Sequence, residues 1–119
     1  MENVQRRLAS ILAADVVGYS SLMEDDEDKT VRSLQGCRGV FDRIIENFGG
    51  RIITTAGDSV IAVFSSAFDA VDCATKSQIA LEKYCADNAG NSLIQFRMGI
   101  NVGDLMITGS DTYGTAINI

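Results

Sequence analysis

Histidine is missing from this sequence altogether, and the cysteines number only three, Cys37, Cys73 and Cys85. Three thiols without C-x-x-C spacing and with no imidazole to join them argue against a zinc site; free, mostly buried thiols in a reducing cytoplasm are the expectation. Long apolar runs are missing too, since none approaches the roughly 20 residues that span a bilayer. Met1 leads through Glu2 and polar residues to Arg6-Arg7 and then to an apolar run without a small-residue cleavage site, so that run reads as a strand rather than a signal peptide. Cations are scarce: 10 Lys and Arg stand against 16 Asp and Glu, a net charge of −6. The three lysines, Lys29, Lys76 and Lys83, fall in apparent helices. Nucleic-acid binding draws on Lys and Arg to neutralise phosphates, so this balance argues against it. Repeats and low-complexity tracts are also absent.

What is present is one domain's worth of chain: 119 residues, 46% apolar and 22% charged. The stretch Ser10 to Ser20, S-I-L-A-A-D-V-V-G-Y-S, is apolar but for one carboxylate, Asp15, where the run gives out. An unpaired carboxylate in a low-dielectric setting costs several kcal/mol or must be neutralised, so Asp15 asks for a partner. The glycine and hydroxyl that follow suggest a turn of exposed N–H groups suited to phosphate.

Along the chain, Leu8 to Val17 reads as a buried strand, Gly18-Tyr19-Ser20 as a turn, and Ser21 to Met23 as the possible start of a short helix. The acidic cluster Glu24 to Asp28 opens a longer helix with Val31, Leu34, Arg38, Phe41, Ile45 and Phe48 at helical spacing, stopped by Gly49-Gly50. Arg51 to Thr55 and Val60 to Phe64 form a hairpin around Ala56-Gly57-Asp58-Ser59. Ser66 and Asp69 resemble a capping box for a helix with Ala70, Ala74, Ser77, Leu81 and Tyr84 inside, ending near Ala86. Asp87 to Ser92 reads as a polar loop. Leu93 to Val102 is the next strand, Gly103-Asp104 a tight turn, Leu105 to Thr108 the returning strand, and Gly109 to Ala116 a loop. Ile117-Asn118-Ile119 looks like a helix about to start, and the chain looks cut there. The order β-α-β-β-α-β-β predicts an α+β fold: a ferredoxin-like split β-α-β core, a mostly antiparallel sheet with helices on one face.

In such a sheet the first strand lies antiparallel to the third, so the end of one meets the beginning of the other and Asp15 approaches Asp58. Either residue alone reads equally well as a strand cap. Two convergent carboxylates repel unless a divalent cation neutralises them, and oxygen-only ligands point to Mg²⁺ or Mn²⁺. A phosphoacceptor receiver domain also has acidic strand tips, but Asp58 precedes its apolar strand, Asp15 lacks an adjoining acidic partner, and no lysine follows Lys83.

The segments R-R-L-A-S-I-L-A-A-D-V-V-G-Y-S-S-L-M, G-G-R-I-I-T-T-A-G-D-S-V-I-A-V-F, F-R-M-G-I-N-V-G-D and D-T-Y-G-T-A-I-N, in this order and spacing, resemble the class III nucleotidyl cyclases, the adenylate and guanylate cyclase catalytic domain. The opening M-E-N-V-Q-R-R-L looks like that of bacterial members that carry the domain at the N-terminus of a longer protein. The resemblance implies attack of the 3′-hydroxyl of ATP or GTP on the α-phosphate with loss of pyrophosphate. Two metal ions would help deprotonate the attacker and balance the leaving charge. It implies Asp15, Asp58 and the Val16 carbonyl as metal ligands, and the backbone of Val17, Gly18, Tyr19 and Ser20 as a phosphate cradle. Family members act as head-to-tail homodimers, with purine- and transition-state-contacting residues from the second subunit. Asp111 matches the purine-reading position and Asn118 the transition-state asparagine; without the motif they would read as a turn Asp and a helix-start Asn.

Three departures stand out. Thr54 occupies the family's purine-reading lysine position and cannot carry its charge. The transition-state arginine would fall four residues after Asn118, beyond Ile119, and so would the closing helix and strands. The expectation is therefore the N-terminal part of a cyclase domain, weakened or silent as it stands, with a non-catalytic nucleotide-binding or dimerisation module as the alternative. A diguanylate cyclase shares the fold type, but the hairpin here reads A-G-D-S rather than G-G-D-E-F.

Overall fold

The computed structural model describes residues 4–88, 94–108 and 111–114. In chain order it contains β1 (Val4–Val16), α1 (Tyr19–Asp25), α2 (Glu27–Asn47), β2 (Arg51–Ala56), β3 (Ser59–Phe64), α3 (Ala67–Asp87), β4 (Phe96–Thr108) and β5 (Asp111–Gly114). The sheet order is β2-β3-β1-β4-β5, and every neighbouring pair is antiparallel. β1 and β2 therefore run the same way with β3 between them, which is the expected split β-α-β core.

Period-two alternation along β1 explains the two layers. Leu12, Ala14 and Val16 point into the main core with Leu34, Cys37, Phe41 and Ile45 of α2 and Ala70, Cys73 and Leu81 of α3. Phe41 meets Phe96 of β4 with ring centroids 5.6 Å apart. Ala9 and Ile11 face the other way and cluster with Leu105, against Ile61 and Val63, all from strands. The helices thus cover one face, and Asp15, in phase with Ile11 and Ala13, belongs to the other.

Several local expectations are corrected. Gly103-Asp104 is not a turn: β4 runs unbroken, with Gly103 opposite Ala9 and Asp104 opposite Leu8. β1 begins at Val4 rather than Leu8, and its extra ladder positions hold β4 extended past the glycine; burial of Leu105 against Ala9 and Ile11 adds to that. The reversal comes instead between Thr108 and Asp111, so Asp111 to Gly114 is a strand rather than part of a loop. Tyr19 and Ser20 lie in α1 rather than in a turn, because Gly18 takes the left-handed conformation (φ 66°) and caps the helix there.

The long helix starts at Glu27, with the Asp26 side chain accepting from the Lys29 N–H at 3.1 Å. Its inner face is Thr30, Ser33, Leu34, Cys37, Phe41 and Ile45. Val31 is exposed, and Arg38 pairs bidentately with Asp42 one turn on. In α3 the Ser66 hydroxyl accepts from the Asp69 N–H, as the capping pattern predicts, and Cys73 joins the buried stripe. Most of the loop expected over 87–92 and the segment from Thr115 to Ile119 lie outside the described residues.

Candidate active site

The end of β1 and the turn between β2 and β3 are joined by one hydrogen bond: the Val16 N–H donates to Oδ2 of Asp58 at 2.9 Å. The antiparallel register, with Ala14 opposite Val60, brings the β1 tip to this turn. The left-handed Gly57 (φ 58°) begins the reversal that presents Asp58. Asp58 is thus oriented by the strand that carries Asp15, one residue along from it.

Asp15 has a partner that sequence reasoning missed. Arg97 sits directly opposite it on β4 and engages both carboxylate oxygens, Nε to Oδ1 and Nη2 to Oδ2, each at 3.0 Å. The Asp15 carboxylate, with Asp58 further off, holds the guanidinium pKa above its ordinary value. The pair is solvent-facing, the side chains being 69% and 39% exposed. A signal was available, since Arg97 is a lone charge between Phe96 and Met98, but only the ladder shows which carboxylate it meets. Around this pair lies an open cavity of about 350 Å³ on the helix-free face, lined by Ala13, Asp15, Ser59, Ile61 and Arg97.

After Asp15 the backbone leaves the sheet. Val16 is buried, and the Val17 N–H donates to the Gln95 carbonyl at 2.8 Å. The first helical bond of α1 runs from the Leu22 N–H to the Gly18 carbonyl, and no side chain caps the helix. Of the four residues expected to cradle phosphate, Val17 has its N–H committed, whereas Tyr19 and Ser20 contribute first-turn N–H groups that no intrahelical bond uses.

Thr54 lies opposite Ile61, itself opposite Ala13, so this exposed threonine shares the helix-free face with Asp15. Asp111, expected to serve the site of a second subunit, lies elsewhere in its own chain. It pairs with Thr108, which pairs with Val4, at the other end of β1 from Asp15. Eleven strand steps at about 3.3 Å each put the two ends some ~35 Å apart. Asn118 lies outside the described residues.

The donor set fits a hard cation. Asp58 uses one oxygen on Val16 and keeps the other, and Asp15 already holds a positive group. Among the described residues no three or more Cys, Asp or Glu side chains gather around one point, so an ion here would draw its remaining ligands from backbone, phosphate or water oxygens.

The structure is thus an α+β domain on a split β-α-β sheet, with Asp15 and Asp58 at adjoining strand ends beside the start of α1. The chain belongs to the adenylate and guanylate cyclase catalytic domain family, whose pattern matches residues 2–116. It is 40% identical over 119 residues to putative adenylate cyclase 3 of Rhizobium meliloti, a match covering 99% of this chain and 20% of that protein. It is 29% identical to an adenylate cyclase of Streptomyces coelicolor, of which it covers 29%. The crystal structure of an adenylate/guanylate cyclase/hydrolase from Silicibacter pomeroyi superposes with a TM-score of 0.84 at 39% identity, covering 98% of this chain and 68% of that one. The chain therefore spans less than a third of the two curated relatives. Among the described residues, no helix is long and apolar enough to cross a membrane.

Proposed function

We propose that this chain supplies the metal-binding half of a nucleotidyl cyclase that converts ATP or GTP to the 3′,5′-cyclic nucleotide and pyrophosphate in the cytoplasm. The observation that carries the reading is the Val16–Asp58 hydrogen bond, which sets the Asp58 carboxylate beside the strand end bearing Asp15. Asp15, Asp58 and the Val16 carbonyl would hold two Mg²⁺ or Mn²⁺ ions, which supply charge neutralisation and activation of the 3′-hydroxyl when bound. The N–H groups at the start of α1, from Gly18 to Ser20, would orient the phosphates, with Val17 contributing through its position rather than its committed N–H. Thr54 offers the purine a hydroxyl and no charge, which leaves ATP and GTP on nearly equal electrostatic terms at that point.

The distance from Asp15 to Asp111 supports a head-to-tail homodimer. A purine-reading group at one end of the sheet serves a metal site at the other only when a second copy presents it. Asn118 would act from the same subunit as Asp111, orienting the ribose and stabilising the transition state. Splitting the site between subunits means that a monomer binds part of the substrate without assembling the reacting groups.

One observation favours the alternative, a catalytically silent nucleotide-binding or dimerisation module: both oxygens of Asp15 are held by Arg97. The two readings separate in one assay. The chain, and any longer natural form that carries it, is incubated with Mn²⁺ and ATP or GTP, and cyclic nucleotide is measured. Product from the longer form that disappears in Asp15→Asn and Asp58→Asn supports the cyclase; nucleotide binding without product from any form overturns it in favour of the silent module.

A further inference from the structure

Arg97 supplies Asp15 with a fixed positive charge. Its guanidinium takes both oxygens of Asp15, and its next electrostatic neighbour is Asp58, so it lies in the joint field of the two carboxylates. The β1–β4 register places the two residues directly opposite, and the fork geometry of arginine matches a carboxylate with both bonds made. Its high exposure makes the pair a weak contributor to folding, because exposed ion pairs gain little over hydration. A contact that adds little stability yet occupies both donor atoms of a ligand has its main effect on whatever else binds that ligand.

We infer that Arg97 is a built-in counter-ion for Asp15 that competes with the divalent cation, so that the ion gains the carboxylate only by displacing the guanidinium. The inference rests on the metal-site reading above. In this scheme Arg97 touches neither substrate nor ion: while no ion is bound it neutralises Asp15, with Asp58 as its next charged neighbour. The consequence is a metal affinity set lower than two free carboxylates would give. A purely structural role for Arg97 predicts the opposite sign, since losing it would let Asp15 wander and weaken binding of the ion.

The test is titration of the purified chain with Mn²⁺ alone, followed by the electron paramagnetic resonance signal of the free ion, with no nucleotide and no activity readout. Arg97→Gln is expected to bind Mn²⁺ about fivefold more tightly than the wild type, the upper end for an exposed pair. Arg97→Lys, which keeps the charge without the two-point grip, is expected to fall between them, and it serves as the second variant should Arg97→Gln fold poorly. Equal or weaker binding by Arg97→Gln, with Asp15→Asn still abolishing it, overturns the counter-ion role and leaves the metal site standing. No binding by the wild type or Arg97→Gln overturns both.

Discussion

Replacing Asp58 by alanine removes an acceptor and a charge at once, and replacing it by asparagine removes only the charge. The lost acceptor serves the Val16 N–H at 2.9 Å in a partly buried setting. A hydrogen bond to an ionised acceptor contributes about 1.5–3 kcal/mol net, and partial burial puts this one at the low end. Relief of repulsion with Asp15 offsets a few tenths, leaving roughly 1–2 kcal/mol for Asp58→Ala by the same reckoning. A chain of 119 residues unfolds with an entropy near 250 cal/mol/K at about 2.1 per residue, so this loss lowers the melting temperature by about 4–8 °C. Asp58→Asn keeps an oxygen facing Val16 and should lose less than about half of that. Calorimetry in EDTA measures these shifts, and Mn²⁺ titration of the same samples is expected to show weakened binding in both variants. An Asp58→Ala protein that melts within a degree of the wild type refutes the anchoring role. An Asp58→Asn protein that holds Mn²⁺ as tightly as the wild type refutes the ligand role.

Three further outcomes follow from the packing. Gly50 has a negative φ, where Gly→Ala ordinarily stabilises by about 0.4–1 kcal/mol. Here a β-carbon would meet Phe64 Cζ at 2.5 Å and Ile45 Cγ2 at 2.8 Å, so Gly50→Ala should destabilise by about 1–3 kcal/mol in urea unfolding. Burial, and next the neighbouring Cys85 thiol, push the Cys37 pKa up from 9.0 to about 12. The folded state therefore keeps the proton that the unfolded chain gives up, so stability is whole below pH 9 and falls as pH rises from there toward 12, as denaturation at stepped pH would show. Native alkylation at pH 8 should label the half-buried Cys85 before Cys37 and Cys73, which are buried.

The features legible in the sequence are those whose cause is local. The hairpin around Asp58, the Ser66 cap and the amphipathic course of α2 and α3 each rest on side chains within a few positions of one another, and that is the range over which turn chemistry and helical periodicity act. The approach of the β1 end to the start of β3 was also legible, because a split β-α-β topology forces the end of the first strand to meet the start of the third. Helical spacing alone did not place Val31 outside and Cys37 inside: Cys37 lies mid-stripe with Thr30, Leu34 and Phe41, whereas Val31 sits off its edge.

What only the tertiary structure decided depends on partners far off in the chain. Gly103-Asp104 has the chemistry of a turn, yet the ladder offered by a longer β1 keeps the strand extended through it, because each added pair satisfies backbone groups that a turn at the sheet's middle would strand. Arg97 finds Asp15 across 82 positions, and the β4–β5 ladder sets Asp111 at the end of the sheet remote from Asp15 of the same chain. Sequence by itself determined the fold class and the family, since each is written in short segments and their order. Register along the β1–β4 ladder, a property of two strands together, decided which cation guards Asp15 and which end of the molecule Asp111 occupies.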